Sequence, residues 1–230
     1  MFNNIKAKKD KKSEYFFCLF VLYIQSEELL VNTIRKNNVT HQQEDTKIWN
    51  AFRSGDNQAY AFIYRKYAKQ LLAYGMNFST DKELVEDCVQ NVFVNIHQTR
   101  SRLKETDNIQ LYLFSAVKNS LFRSFEKEKE LSLIESIEPV FSVDYTIEDQ
   151  LEEQESDRKR KEKVLRLLEV LTPRQKEVIY YRYIMEMNFG EIGKLMQMNH
   201  QSIKNLIQRS IIKMRKSFPD MYKKQIRLKI

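Results

Sequence analysis

With 230 residues, the chain can hold one or two domains that each bury a core, and its four Gly and three Pro favour an all-α fold. Its two cysteines and three histidines are scattered along the sequence, which excludes a disulfide framework and predicts no metal site. The net charge of +8 is uneven, because residues 161–230 hold sixteen Lys/Arg against six Asp/Glu and residues 131–160 hold three against nine. A basic helical segment behind an acidic one is typical of a DNA-binding domain joined to a linker.

Residues 1–44 form an extra N-terminal segment in which a lysine-rich start precedes an apolar run from Tyr15 to Ile24. Ten apolar residues are too few to span a bilayer, and no small-residue cleavage site follows them. The segment could be an additional amphipathic or buried helix, a membrane-surface anchor, or a stretch translated from upstream of the true start. We favour the last interpretation, because nothing downstream uses the segment.

The first clear domain is predicted over residues 45–130 and begins with three helices. Trp49 and Phe52 share one face of the first helix, and Gly55 followed by Asp56 indicates a helix end and a new N-cap. The second helix is predicted to carry an apolar stripe: Ala59, Phe62, Ile63, Tyr67 and Leu71. The third, capped by Asp81 or Thr80, has the widest apolar face: Val85, Cys88, Val89, Val92, Phe93 and Ile96. Cys88 is therefore predicted to be a small core residue and not a nucleophile.

A polar loop from Gln98 to Asn108 and a fourth helix from about Ile109 to Lys127 complete this domain. The loop carries three cations: Arg100, Arg102 and Lys104. Polar and aromatic side chains are interleaved along the helix: Tyr112, Lys118, Asn119, Phe122 and Arg123. Cations with aromatic rings between them suit single-stranded nucleic acid, since bases stack on the rings while the cations neutralise phosphate. On this helix alone, a plain amphipathic helix with its aromatic residues in the core is the better interpretation.

Residues 131–160 are predicted to be an acidic linker, residues 161–220 a second helical domain, and residues 221–230 a basic tail. Thr172-Pro173 is predicted to be an N-cap with Pro at the first helical position, opening a helix from Arg174 to Tyr183.

Phe189 to Lys216 is predicted to be a helix, a tight turn and a second helix. Gly193 would lie where the first helix presses against the second and would permit that close approach, and Asn199 would cap the second helix. An apolar stripe is predicted along the second helix: Ile203, Leu206, Ile207, Ile211 and Met214. The opposite side carries groups that read base edges and phosphates: Lys204, Asn205, Gln208 and Arg209. An ordinary surface helix with a solvated basic face is the alternative.

Three motifs in order resemble the extracytoplasmic-function (group IV) sigma factors of bacterial RNA polymerase. Asp87-Cys-Val-Gln90-Asn-Val-Phe93 is similar to the family's core-binding helix, and Tyr112-Leu-Phe-Ser-Ala-Val-Lys-Asn119 to its promoter-melting helix. Leu171-Thr-Pro-Arg-Gln-Lys-Glu-Val178 and the segment from Glu191 to Arg209 are similar to region 4. The sequence departs from the family pattern at Tyr112 (usually Trp), Asn91 (usually acidic) and Gln197 (usually Gly).

The resemblance implies a cytoplasmic, non-enzymatic polymerase subunit with two helical domains, of which the C-terminal one is a helix-turn-helix. Its partners would be core RNA polymerase, promoter DNA and an anti-sigma factor, often membrane-bound, with no cofactor, metal or small-molecule substrate. The face that binds core polymerase would be Asp87, Gln90 and Asn91. The residues at the −10 element would be Arg100, Arg102, Lys104, Tyr112, Lys118, Asn119, Phe122 and Arg123. Those at the −35 element would be Ser202, Lys204, Asn205, Gln208 and Arg209.

A LuxR-type regulator, which binds operators without being a polymerase subunit, is the alternative, because Leu171-Thr-Pro-Arg-Gln before a helix-turn-helix also resembles that family. Residues 45–130 lack the alternating strands and acidic pocket of a receiver domain. No set of nucleophile, base and orienting residue supports an enzyme.

Overall fold

The computed structural model describes residues 43–132, 140–143 and 164–219. Most of the extra N-terminal segment, most of the predicted linker and the basic tail lie outside the described residues. The described residues form helices and contain no strand, which confirms the all-α prediction. They fall into two compact units, which divide between Val140 and Phe141.

The N-terminal unit has four α-helices: α1 over residues 43–53, α2 from Asn57–Gly75, α3 from Lys82–Thr99 and α4 from Ile109–Ser132. A short 3-10 helix, Arg100–Arg102, follows α3 directly. The region between the last two α-helices therefore lacks helical structure only from residue 103 to residue 108, which is a shorter loop than the sequence predicted.

Side-chain caps define where the second and third of these helices begin. Asp56 accepts hydrogen bonds from the backbone N–H groups of the first turn of α2, and Asp81, not Thr80, does the same for α3. The apolar face predicted for α3 is buried in full, including Cys88, as expected. Of the stripe predicted for α2, Ile63, Tyr67 and Leu71 are buried, Ala59 is half-buried and Phe62 is 42% exposed. An aromatic residue at the edge of an apolar stripe can lie outside the core.

The C-terminal unit has α5 over residues 164–169, α6 from Pro173–Ile179, α7 from Phe189–Met196 and α8 from His200–Ser217. A π-helical turn, Tyr180–Ile184, extends α6. The predicted N-cap at Thr172 is confirmed, and Gln175 returns a hydrogen bond to the Thr172 N–H to complete a capping box.

A short piece of the interval predicted as linker is part of the C-terminal core. Phe141 and Val143 are 3% and 2% exposed. The ring of Phe141 lies 5.5 Å from that of Tyr180, centroid to centroid, in an edge-to-face contact. The acidic stretch thus contributes apolar side chains to the unit that follows it.

None of the described helices is long and apolar enough to cross a membrane.

Candidate nucleic-acid and protein interfaces

The helix-turn-helix begins and ends at residues whose geometry is set by local hydrogen bonds. Asn188 and Glu191 form a capping box at the start of α7, with N···O distances of 3.0 and 2.7 Å. At the start of α8, the Asn199 side chain accepts a hydrogen bond of 2.8 Å from the backbone N–H of Ser202. The predicted N-cap at Asn199 is therefore confirmed.

The turn between these helices is compact and uses a left-handed residue. Gln197, where the sequence departs from the usual Gly, has φ 53° and ψ 45° and lies in the left-handed region. The Met198 N–H donates to the Gly193 carbonyl at 2.9 Å. A Cβ at Gly193 would lie only 2.7 Å from the Met198 carbonyl oxygen, which explains the glycine. The close approach is to the turn backbone, and not to the second helix as the sequence had suggested.

The second helix, α8, separates apolar from polar side chains as predicted. Ile203, Ile207, Ile211 and Met214 are buried, whereas Leu206 is only half-buried and lies at the edge of the stripe. The four residues predicted to read DNA are all exposed on the other side: Lys204, Asn205, Gln208 and Arg209. Ser202 is half-buried next to the N-cap. This outward face presents amide and cationic donors, and the exposed Ile212 follows Gln208 by four residues on the same side.

The face of α3 opposite its buried stripe is exposed. It carries Asp87, Gln90 and Asn91, as predicted. Val94 lies on the same face, four residues after Gln90, and is 51% exposed. The sequence interpretation missed Val94; an apolar residue at the i+4 position of an otherwise polar face is the signal that could have found it.

The cations of the predicted loop differ in their surroundings. Arg102 and Lys104 are exposed, whereas Arg100 is half-buried and its Nη1 donates to the His97 carbonyl at 2.8 Å. Arg100 thus satisfies a carbonyl at the C-terminal end of α3, where a positive charge is favourable.

Residues 103–109 are held against α1 by hydrogen bonds with side chains that the sequence interpretation did not assign to the site. Trp49 Nε1 donates to the Lys104 carbonyl at 2.9 Å, and Arg53 Nε donates to the Leu103 carbonyl at 2.7 Å. Asp45 accepts from the backbone N–H of Ile109 at 3.0 Å. The four-residue spacing of these three side chains places them on one face of α1, but it does not identify their partners.

The helix α4 has an outward aromatic and cationic face of mixed exposure. Asn119, Phe122 and Arg123 are exposed. The Lys118 Nζ lies 5.6 Å from the ring centroids of both Phe78 and Phe122, a double cation–π arrangement.

Tyr112, which stands where the resemblance expects Trp, is half-buried. Its ring centroid lies 4.9 Å from that of Trp49, and burial raises the pKa of its hydroxyl. Packing against α1 thus accounts for part of its surface.

In the described ranges, no three His, Cys, Asp or Glu side chains come together as a metal site requires. The residues of α3, α4 and the loop belong to one unit and those of α8 to the other, so the two candidate DNA surfaces are described separately.

Comparison with known proteins gives two family matches on this chain. The family model for Sigma-70 region 2 matches residues 63–130, and the model for Sigma-70, region 4 matches residues 167–216. These 68 and 50 residues are together just over half of the 230-residue chain. No curated protein sequence matches.

Among solved structures, that of CnrH in complex with the cytosolic domain of CnrY is similar to this chain, with a TM-score of 0.49 and 16% sequence identity. The similarity covers 76% of this chain and 97% of that chain. The two family matches, and not this distant likeness, carry the assignment that follows.

Proposed function

The chain belongs to the sigma-70 family, and we propose that it is a group IV sigma factor that binds core RNA polymerase and directs promoter-specific initiation. The observation that carries this proposal is the order of a region 2 match and a region 4 match on one chain. The LuxR-type alternative does not account for the region 2 match at residues 63–130, so it is not retained.

In this function the C-terminal domain, residues 161–220, binds the −35 element through α8. An α-helix fits the major groove of B-DNA, where each base pair presents a distinct pattern of donors and acceptors. Lys204, Asn205, Gln208 and Arg209 would contact base edges, because they are the exposed polar face of the second helix. Ser202, in the first turn, would contact phosphate.

The N-terminal domain, residues 45–130, would hold unpaired bases of the −10 element. The exposed Arg102, Lys104, Asn119, Phe122 and Arg123 supply phosphate-neutralising and stacking groups, and Arg100, Tyr112 and Lys118 support them from half-buried positions. Each base stacked on an aromatic ring contributes about 1–3 kcal/mol. Opening one base-pair step costs about 1.4 kcal/mol. The free energy gained by stacking a few bases therefore offsets the cost of opening a few base pairs, and no ATP hydrolysis is needed.

The polymerase-binding surface would be the exposed face of α3, with Asp87, Gln90 and Asn91 as its polar part and Val94 as its apolar part. An exposed valine among polar groups suits a protein interface, whose centre is depleted of charge. The remaining assignments follow from the family resemblance: an acidic linker at residues 131–160, a cytoplasmic location, regulation by an anti-sigma factor, and a role as a polymerase subunit rather than an enzyme.

The proposal is tested by mixing the full chain with core polymerase and a promoter library randomised at both elements. We expect a stable stoichiometric complex and transcripts from a defined pair of sequences. No complex and no selected promoter would overturn the proposal.

The polymerase-binding face is tested with Asp87→Arg, which we expect to lower affinity for core polymerase by reversing a charge on that face. Glu128→Arg is the matched control, since it reverses an exposed acidic residue on a different helix, α4. Equal core affinity of the two folded variants would remove the α3 face from the interface.

The DNA-reading face is tested by comparing two pairs of alanine variants. Lys204→Ala and Gln208→Ala should relax the selected −35 sequence, because a base-edge contact discriminates by about 1–3 kcal/mol. Lys213→Ala and Lys216→Ala, near the end of α8, should weaken binding to all sequences and reduce its salt dependence. An unchanged −35 preference in the first pair would assign recognition to another face of α8.

A further inference from the structure

The helix α1 contacts residues 103–109, the segment before and at the start of α4 that we name the −10 loop, with three side chains on one face. Asp45, Trp49 and Arg53 follow each other at four-residue steps, so they project from the same side of the helix. Each makes a hydrogen bond with a main-chain atom of residues 103–109: two carbonyls and one N–H. The two ends of the segment between α3 and α4 are thereby fixed to the same rigid element.

These contacts are protected from water to different degrees. Trp49 is completely buried and Asp45 is 7% exposed, whereas the Arg53 side chain is 27% exposed. Arg53 also lies 3.3 Å from the Glu105 carboxylate and 3.0 Å from the Asn50 amide oxygen. Its guanidinium therefore holds both the backbone and a side chain of the loop, which a planar group with several donors can do simultaneously.

The direction of the loop side chains depends on these bonds. A peptide plane whose carbonyl is held by a hydrogen bond restricts rotation of the residues on both sides of it. The held carbonyls are those of Leu103 and Lys104, so the exposed Lys104 side chain leaves the loop from a fixed backbone. A base held by such a side chain is recognised with less loss of conformational entropy on binding.

We propose that Asp45, Trp49 and Arg53 are positioning residues that hold residues 103–108 in the shape that selects an unpaired base of the −10 element. The inference rests on the proposed function and adds a specificity determinant to it. In this proposal the three residues act through the loop and need no contact with DNA. All three precede residue 63, at which the region 2 match begins, so the family match does not include them.

Arg53→Met is the informative variant, because it keeps a long unbranched side chain but removes every donor from a partly exposed position. Arg53→Lys restores the positive charge beside Glu105 and one donor group, but not the planar guanidinium with its several donors. It should therefore restore part of the oligonucleotide affinity that Arg53→Met loses. Lys47→Met is the matched control, since it removes one exposed positive charge from the same helix.

The experiment uses holoenzyme assembled from core polymerase and the full chain. The −10 sequence is selected from a randomised library, and affinity is measured by fluorescence anisotropy for a labelled single-stranded oligonucleotide carrying the sequence that the wild type selects. One hydrogen bond contributes about 1 kcal/mol, so the loss of the Arg53 bonds should weaken oligonucleotide binding about fivefold to tenfold. The selected −10 sequence should become less defined, whereas core affinity and −35 preference should not change. Arg53→Lys should lie between Arg53→Met and the wild type, and Lys47→Met should match the wild type.

Three results would count against the inference, and each is distinct. A wild type that starts no transcription with core overturns the proposed function together with this inference. A functional wild type and an Arg53→Met variant that selects the same −10 sequence with the same oligonucleotide affinity overturn the positioning role alone. A variant that loses core affinity and oligonucleotide affinity to the same extent indicates that α1 only stabilises the domain, and this also overturns it.

Discussion

The left-handed backbone of Gln197 allows a stabilising substitution to be designed in the helix-turn-helix. An L-residue in this conformation costs about 1–2 kcal/mol because its Cβ approaches the following carbonyl. Glycine avoids that cost, but it has about 0.4–1 kcal/mol more conformational entropy to lose on folding. The Gln197 side chain is exposed, so little buried surface is lost. Gln197→Gly should therefore stabilise the C-terminal unit by about 0.5–1 kcal/mol.

The measurement is differential scanning calorimetry of the full chain, in which the C-terminal unit should unfold at a temperature about 2–8 °C higher. The fluorescence of Trp49, the single tryptophan, reports the N-terminal unit and should show no change. Gln197→Ala is the matched control, because it shortens the side chain but retains the Cβ. Its unfolding temperature should not exceed that of the wild type.

If Gln197→Gly is neutral or destabilising, or if Gln197→Ala stabilises equally, the positive φ is not a source of strain. A shift in −35 preference would contradict the reasoning in another way, because residue 197 lies before the exposed face of α8 and should affect stability alone.

Three further results are expected. A chain that starts at His41 should still bind core polymerase and initiate transcription in vitro, because α1 remains whole. Loss of either activity would show that the removed segment is needed for function. The free energy of unfolding should fall as pH rises above about 10, because two groups have raised pKa values in the folded state. Burial raises the pKa of Tyr112. Burial acts to lower the pKa of Lys66, but interactions with Tyr67 and Asp45 outweigh this effect and raise it. Both groups contribute stability that is present below their unfolded pKa values and is lost as the pH rises through their higher folded pKa values. In urea titrations at several pH values, Tyr112→Phe should therefore reduce the dependence of the free energy of unfolding on pH. Gly193→Ala should destabilise the C-terminal unit by about 1–3 kcal/mol in calorimetry, because its Cβ would meet a backbone carbonyl, and an unchanged unfolding temperature would contradict this.

The helix-turn-helix could be predicted closely because its determinants are local. Asn199 caps the residue three positions later, and the buried positions of α8 recur at three- and four-residue steps. Such signals are contained within one or two helical turns of sequence. Leu206, which is only half-buried, lies at the boundary of the stripe, where periodicity alone does not decide the degree of burial.

The surroundings of the −10 loop could not be predicted for a different physical reason. The acceptors for Trp49 and Arg53 are main-chain carbonyls, which every residue has, so no pattern in residues 103–109 marks them as partners. Each of these two bonds joins residues at least fifty positions apart. The same limit applies to Phe141, whose aromatic partners lie about forty positions later, beyond an acidic stretch.

The two candidate DNA surfaces differ in what determines their geometry. On α8, the reading side chains leave a regular helix, so a substitution there changes one contact at a time. In the N-terminal unit, the loop between α3 and α4 has no such regularity, and its shape depends on bonds donated or accepted by α1. Substitutions that alter −10 preference are therefore expected at residues that never approach a base, whereas substitutions that alter −35 preference are expected on the exposed face of α8 itself.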